Sequence, residues 1–352
     1  MKRAFSRLRY LALLSTFFIL FLYGCGNSST TSNGQTIVHL GYYPNLTHAA
    51  ALVGVARGTF AQALGSNVQL KTTTFNAGPA LIEALFANSI DIGYVGPNPA
   101  VNGYIKSGGA ALRVIAGASS NGVEFVVRPG ANIHQPSDLV NKKIADPQLG
   151  GTQDVSLRYY LQQHGLKPAD KGGNVQIVPT DNSTILTLFK QGKIDGAWVP
   201  EPYATRLVAE DGGQVFVNES TLWPDDQFAT TVVVARKAFA DQHPDLVKKF
   251  LQAHVETIEY IQQNKASAES IANNAIKAIT GKSPLPTKEL DQSFSDVHIT
   301  YDPLASSITR ASQEAYSLGF LGSKQPDLTN LYDLSDLNAV LTSQKLAPIQ
   351  AS

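Results

Sequence analysis

Five short segments gather amides, hydroxyls, Gly and Pro, and none of them contains Lys or Arg. They are YPNLTH (Tyr43 to His48), NAGP (Asn76 to Pro79), GPNP (Gly96 to Pro99), DPQLGGTQD (Asp146 to Asp154) and PEPY (Pro200 to Tyr203). Each stands directly before a stretch with helical periodicity. Taken one at a time, such residues are helix caps. Taken together, they describe an anion site built from neutral donors. The first N–H groups of a helix lack internal partners and favour negative charge, and Gly allows a ligand to approach the backbone closely. A helix terminus contributes about 0.3–1 kcal/mol, up to ~2 when partly buried. A hydrogen bond to a charged group contributes roughly 1.5–3 kcal/mol. Micromolar affinity requires about −8.2 kcal/mol. Four or five such donors with some apolar contact are therefore needed, and these loops hold that many.

Single residues carry alternatives. His48 either donates to an anion or caps its helix. Trp198 ends a strand with Tyr203 close by, which favours a pocket wall over a core position. Glu201 and Asp154 read first as acidic groups at helix N-termini; the other reading makes one of them the partner of a ligand ammonium. Tyr42 and Tyr43 are adjacent in a strand, so at most one faces a cleft.

The elements that carry these loops alternate regularly. Strands are expected at 36–43, 68–75, 90–95 and 112–118, with helices at 49–64, 79–87 and 97–106. A second series follows: strands at 143–145, 175–178 and 194–199, helices at 152–164, 183–190 and 202–210. The tail from Pro244 is mostly helical, with an apolar stripe through Leu246, Val247, Phe250, Leu251, Val255 and Ile258. This β–α alternation predicts an α/β fold with parallel-type sheets covered by helices. The two series echo one another at a fixed offset. LIEALFANSIDIGYVGPNPA (Leu81 to Ala100) and ILTLFKQGKIDGAWVPEPYA (Ile185 to Ala204) align Ile90-Asp91 with Ile194-Asp195, Tyr94 with Trp198 and Val95 with Val199. Two similar lobes are implied. In open α/β sheets ligands sit beyond the carboxyl ends of the strands, so two such edges facing each other make a cleft.

The chain has 352 residues with 28 basic and 28 acidic side chains. The four charges among residues 1–24 are all basic (Lys2, Arg3, Arg7, Arg9), so the rest of the chain carries a net −4. A mildly acidic body argues against nucleic-acid binding. A single Cys excludes a disulfide framework and any multi-thiolate metal site. The basic start precedes an apolar run from Leu11 to Leu22. A helix of that length rises about 18 Å, well short of a ~30 Å hydrocarbon core, so it reads as a signal peptide (1–24) rather than a span. Leu22-Tyr23-Gly24-Cys25 follows, resembling a bacterial lipobox with Tyr23 as an unusual occupant, and marks Cys25 as the lipidated residue. GNSSTTSNGQ (Gly26 to Gln35) reads as a flexible tether.

The loops, in this order, resemble the extracytoplasmic solute-binding proteins of ABC importers, in the aliphatic sulfonate, taurine and nitrate group. GYYPNLTHA (Gly41 to Ala49), IDIGYVGPNPA (Ile90 to Ala100), DPQLGGTQD and GAWVPEPYA (Gly196 to Ala204) carry the resemblance, extended by LWPDDQFATTVVVAR (Leu222 to Arg236). It implies a type II periplasmic-binding-protein fold with one lobe at 36–118 plus 229–352 and the other at 119–228, the chain crossing near Ser119 and Ala229. It also implies hinge closure around the ligand. The expected partners are a small anionic solute, an ABC permease with its ATPase, and a membrane reached through the lipid anchor alone; a monomer and no cofactor are expected. Carried over by position, ligand contact falls on Asn45, Thr47, His48, Asn76, Gly78, Gly96, Asn98, Gly151, Thr152, Gln153, Trp198 and Glu201. Related folds also serve as pyrimidine synthases and menaquinone-pathway enzymes. Against an enzyme, the chain has no G-x-S-x-G, H-E-x-x-H, P-loop or G-x-G-x-x-G, and its seven His are scattered.

Overall fold

The computed structural model describes residues 35–350. The signal segment, Cys25 and all but the last residue of the tether lie outside the described residues.

Eleven strands form two separate sheets among the described residues. The strands are β1 (Thr36–Tyr42), β2 (Val68–Thr74), β3 (Ile92–Val95), β4 (Leu112–Asn121), β5 (Val123–Val127), β6 (Lys143–Asp146), β7 (Gln176–Pro179), β8 (Gly196–Pro200), β9 (Gln214–Asn218), β10 (Ala229–Arg236) and β11 (Val297–Ile299). The first sheet has the order β11-β4-β10-β3-β1-β2 and the second β7-β6-β8-β5-β9. The helices are α1 (Ala49–Ala56), α2 (Thr59–Leu64), α3 (Gly78–Phe86), α4 (Pro97–Lys106), α5 (Thr152–Gln163), α6 (Asn182–Lys190), α7 (Tyr203–Asp211), α8 (Lys237–Gln242), α9 (Pro244–Gln263), α10 (Lys265–Thr280), α11 (Thr287–Asp296), α12 (Ala305–Ser317) and α13 (Ser335–Ser343).

Each sheet is buried at its centre because helices cover both faces. β10 reads ATTVVVAR and is buried along almost its whole length. The apolar stripe of α9 lies against the first sheet through Phe250, Leu251 and Ile258, all fully buried. The single helix expected at 49–64 is two helices. Gly58 stands between them at φ 72°, a left-handed conformation that favours glycine. The break folds α2 back so that the Phe60 ring covers Gly54, where an added Cβ would sit 2.3 Å from the ring.

The internal echo is a structural repeat. In the first sheet β1 pairs in parallel with β2 and β3, and β10 runs antiparallel to β3 and β4. In the second, β6 pairs in parallel with β7 and β8, and β5 runs antiparallel to β8 and β9. The aligned aspartates tie the two sheets in the same way. The Asp91 N–H donates to His39 O, its carboxylate accepts the His39 N–H, and its carbonyl and carboxylate accept from the Arg236 N–H and guanidinium. The Asp195 N–H donates to Lys143 O, its carboxylate accepts the Lys143 N–H, its carbonyl accepts the Arg128 N–H, and it pairs with the Arg128 guanidinium. The chain passes from the first sheet to the second at Gly122, which has φ 72°. It returns between β9 and β10.

Candidate functional site

A cavity lies where the strand ends of the two sheets face each other. From the first sheet's loops it is lined by Asn45, Thr47, His48, Asn76, Gly78 and Gly96, and from the second's by Gly151, Thr152 and Gln153. Tyr43, Ala77, Pro99, Pro147, Asn182, Pro200 and Thr230 complete the wall. The space left inside is small, ≈ 30 Å³, though more than the ~10–15 Å³ that admits a single water. Tyr43 rather than Tyr42 faces it; Tyr42 belongs to the core of the first sheet.

Five helices begin at this cavity: α1 just after His48, α3 at Gly78, α4 just after Gly96, α5 at Thr152 and α6 at Asn182. None of the five has its first turn capped by the side chain of its N-cap residue. Side-chain capping by the N-cap residue therefore does not account for these loops, but not every first-turn N–H is free: Ala49 donates to Leu46 O at the start of α1, Thr184 donates to Asp181 O in α6, and Pro79 has none in α3. They contribute unequally. Pro97 and Pro99 remove two donors from the start of α4, while Thr152 and Gln153 both keep theirs in α5.

The side chains are arranged as donors. Thr47 Oγ1 donates to Asn45 Oδ1 at 2.8 Å, which leaves the Asn45 amide nitrogen to face outward. Thr47 thus supports Asn45 and holds no free proton of its own; Thr231 donates to its oxygen at 3.3 Å. The backbone N–H of Tyr43 donates to His48 Nδ1 at 3.3 Å. That bond places the imidazole proton on Nε2. Burial holds the His48 pKa at about 3, so the ring is a neutral donor. It lies tilted against the Tyr43 ring, with centroids 4.1 Å and planes 38° apart.

Three buried polar atoms in the wall have no partner: Tyr43 Oη, Thr152 Oγ1 and Asn182 Oδ1. Buried polar groups are normally satisfied, and leaving one unpaired costs roughly 1–3 kcal/mol. Their convergence marks a place where a ligand supplies the missing bonds. A half-turn of the Asn182 amide presents nitrogen in place of oxygen. Gly96 and Thr152 also meet across the cavity, because a Cβ on Gly96 would lie 2.2 Å from Thr152 Oγ1.

Three expected contacts fall elsewhere. Trp198 is 0% exposed; its Nε1–H donates to Glu219 Oε2 at 2.6 Å and its ring stacks on Phe125 at 5.2 Å. It is core of the second sheet, since only the loop beyond the strand reaches the cavity. Asn98 turns its amide to Ala311 O at 3.2 Å. Glu201 is 0% exposed, and its carboxyl accepts from the Thr205 N–H and hydroxyl. It caps α7, so at this one loop capping is the right account, and Pro200 alone represents the segment in the wall. Asp154 is likewise occupied, by the Gly150 N–H and by Arg158 Nε at 2.7 Å. Sequence reasoning missed Asn182, although α6 follows the parallel strand β7 as α3 and α4 follow theirs. Thr230 opens β10, with no helix start to signal it.

Residues 32–276 match the NMT1-like family. The chain belongs to that family. Within it, this NMT1-like chain is 30% identical over 206 residues to the taurine-binding periplasmic protein of Escherichia coli (strain K12), covering 58% of this chain and 61% of that protein. The match thus spans less than two thirds of that relative's length. Over 310 residues it is 24% identical to a candidate aliphatic sulfonates-binding protein of Bacillus subtilis (strain 168), covering 86% of this chain and 87% of that one. The fold is that of type II periplasmic binding proteins. It matches the alkanesulfonate-binding protein SsuA of Xanthomonas axonopodis pv. citri bound to MOPS, with a TM-score of 0.68 at 16% identity over 82% of this chain and 96% of that one. It also matches the periplasmic nitrate-binding protein NrtA of Synechocystis PCC 6803, with a TM-score of 0.72 at 16% identity over 88% and 89%.

Proposed function

We propose that this protein is the lipid-anchored solute-binding receptor of an ABC importer. It captures a small organic oxyanion of the aliphatic sulfonate or taurine class and delivers it to a membrane permease and its ATPase. The observation that carries this reading is the trio of unpartnered buried groups (Tyr43 Oη, Thr152 Oγ1, Asn182 Oδ1) in a wall that contains no Lys or Arg. A sulfonate offers three acceptor oxygens to such a wall. The names of the relatives in taurine and sulfonate binding support the class. Loops from both sheets contact one ligand, so the ligand favours the closed arrangement through contacts it makes only there. Gly122, in the first crossing, and the second crossing before Ala229 are where the bend is absorbed.

Thermal denaturation tests this directly, against alkanesulfonates, taurine, nitrate, sulfate, bicarbonate and a thiamine-type pyrimidine. A ligand at 100 times its Kd adds about 2.7 kcal/mol of stability, which raises the melting temperature visibly. A shift with sulfonates is expected. A shift with nitrate or the pyrimidine alone moves the protein to another branch of solute receptors, and a shift with none refutes the oxyanion site. The anchor is tested separately: metabolic labelling with a fatty acid marks the protein, and Cys25→Ser abolishes both the label and membrane retention. Retained label in that variant refutes the anchor.

A further inference from the structure

A pair of carboxyl groups lies behind the second sheet's side of the cavity, and neither of them lines it. Asp146 ends β6 and Asp154 is the third residue of α5, so the two bracket the turn that carries Pro147, Gly151, Thr152 and Gln153 to the wall. Both are 0% exposed. Asp154 is well supplied with donors: the Gly150 N–H reaches its Oδ2 at 2.8 Å, and Arg158 Nε its Oδ1 at 2.7 Å. Asp146 is not, and both of its carboxyl oxygens lack a hydrogen-bond partner. Its backbone carbonyl accepts the Thr180 N–H at 2.8 Å, just before the helix that brings Asn182 to the cavity. Asp146 therefore stands beneath two loops of the site at once.

The charges around Asp146 decide its state. Those that act on it are Asp154 and Arg158, both on α5. Arg158 is already shared between Asp154 and Asp170. β7 and β8, which flank β6, bring no charged side chain, and α6 brings none before Lys190 at its far end. Asp181, ahead of α6, is exposed. A carboxylate at Asp146 would be buried without a counter-ion, which is costly. Burial, reinforced by the Asp154 charge, pushes the Asp146 carboxyl well above the usual carboxylate range, against Arg158 and the Gln148 N–H. A carboxylic acid has an O–H to donate, which a carboxylate lacks. Asp154 is the acceptor beside it.

We infer that Asp146 is a positioning residue of the binding site: it holds a proton, donates it in a hydrogen bond to Asp154, and so fixes the turn that presents Thr152 and Gln153 to the ligand. This rests on the oxyanion-receptor reading and adds to it a group that never meets the ligand. Loss of the proton sets two carboxylates against each other under the turn. Tolerance is small where the turn meets the first sheet's loops, since a Cβ on Gly96 would lie 2.2 Å from Thr152 Oγ1. The protonated form is the one that binds, so affinity falls as pH rises through the Asp146 pKa.

Calorimetry on the full-length protein with 1-propanesulfonate, for wild type, Asp146→Asn and Asp146→Ala at pH 7 and pH 9, tests the inference. Asparagine keeps the shape and an N–H donor for Asp154, and it cannot ionise. It is expected to bind as wild type does at pH 7 and to keep that affinity at pH 9, where wild type binds more weakly. Asp146→Ala leaves Asp154 without this donor and is expected to bind about tenfold more weakly at pH 7. Infrared difference spectroscopy of the ligand-free protein reads the proton itself. Wild type minus Asp146→Asn at pH 7 should leave the carbonyl band of a protonated carboxylic acid. A carboxylate band in its place overturns the inference. So does wild-type affinity in Asp146→Ala, or a fall at pH 9 in Asp146→Asn that parallels wild type. Failure of 1-propanesulfonate to bind wild type overturns the receptor reading on which the positioning role rests, while the infrared band still reports the proton.

Discussion

Gly96→Ala separates closure of the cleft from contact with the ligand. Gly96 has φ −66° and ψ 154°, a conformation open to any residue, so alanine brings no backbone strain there. Its methyl would lie 2.2 Å from Thr152 Oγ1 and 3.3 Å from Thr152 Cβ. Since ordinary contact begins near 3.4 Å, the two loops must part by about an ångström. Overpacking of this kind costs about 1–3 kcal/mol, which is roughly a 5- to 150-fold weaker Kd. With the cleft open the methyl faces water, so the melting temperature of the free protein should stay within about a degree of wild type, as surface changes do. Calorimetry with 1-propanesulfonate reads the affinity, and small-angle scattering reads the contraction on binding. Thr152→Ala removes the nearest atom, so adding Gly96→Ala to that background should cost much less than it does alone. Such a double-mutant cycle isolates the pair. Wild-type affinity in Gly96→Ala refutes the reasoning. So does an undiminished loss in the Thr152→Ala background, because the methyl would then be acting on something other than Thr152.

Other outcomes follow from the same geometry. Asn45→Ala combined with Thr152→Ala should weaken sulfonate binding by several kcal/mol while changing stability little, because both residues face the cavity rather than the core; unchanged affinity in calorimetry would move the site elsewhere. His48 is a neutral donor with its pKa at about 3, so affinity should be flat from pH 8 to pH 5; affinity that climbs as pH falls through 6.5 would show a charged imidazole instead. Burial raises the Glu201 pKa from 4.5 to about 8. The folded state therefore keeps a proton that the unfolded chain releases above pH 4.5, and this contribution is lost as pH rises through about 8. Glu201→Gln should melt close to wild type at pH 4.5 and gain on it, by a few kcal/mol of stability, at pH 9. Burial likewise raises Glu219 and Glu124 to about 7, so the variant blunts the alkaline fall and does not abolish it.

The parts of this molecule that were legible in its sequence are local ones. Helix starts at Gly78, Pro97 and Thr152 announce themselves through Gly and Pro placed just before periodic stretches, and the loops they define meet at one cavity. The repeat was legible because Asp91 and Asp195 each hold the same three-strand junction, β1-β3-β10 in the first sheet and β6-β8-β5 in the second. Side-chain direction was not legible where a distant partner decides it. Asn98 turns away because Ala311 O waits 213 residues on, and Trp198 is core because Phe125 and Glu219 enclose it. Glu201 is different in kind. Its partner Thr205 is one helical turn away, a spacing that residues four apart in any helix share, and the capping role was there to be read.

The position of β10 has a consequence for how the molecule comes into being. Residues 229–236 occupy the middle of the first sheet, between β3 and β4, yet they follow the entire second sheet in the chain. All five strands of the second sheet lie between residues 123 and 218 and can pair as soon as they exist together. The first sheet has no such freedom. Until β10 arrives, β3 and β4 each expose an unpaired apolar edge, the kind that invites pairing with another chain. A fragment ending before Ala229 should therefore aggregate or be degraded even though it holds four of the six strands of that sheet. The first half of the polypeptide waits for the second, and the order of completion runs from the interior of the sequence outward.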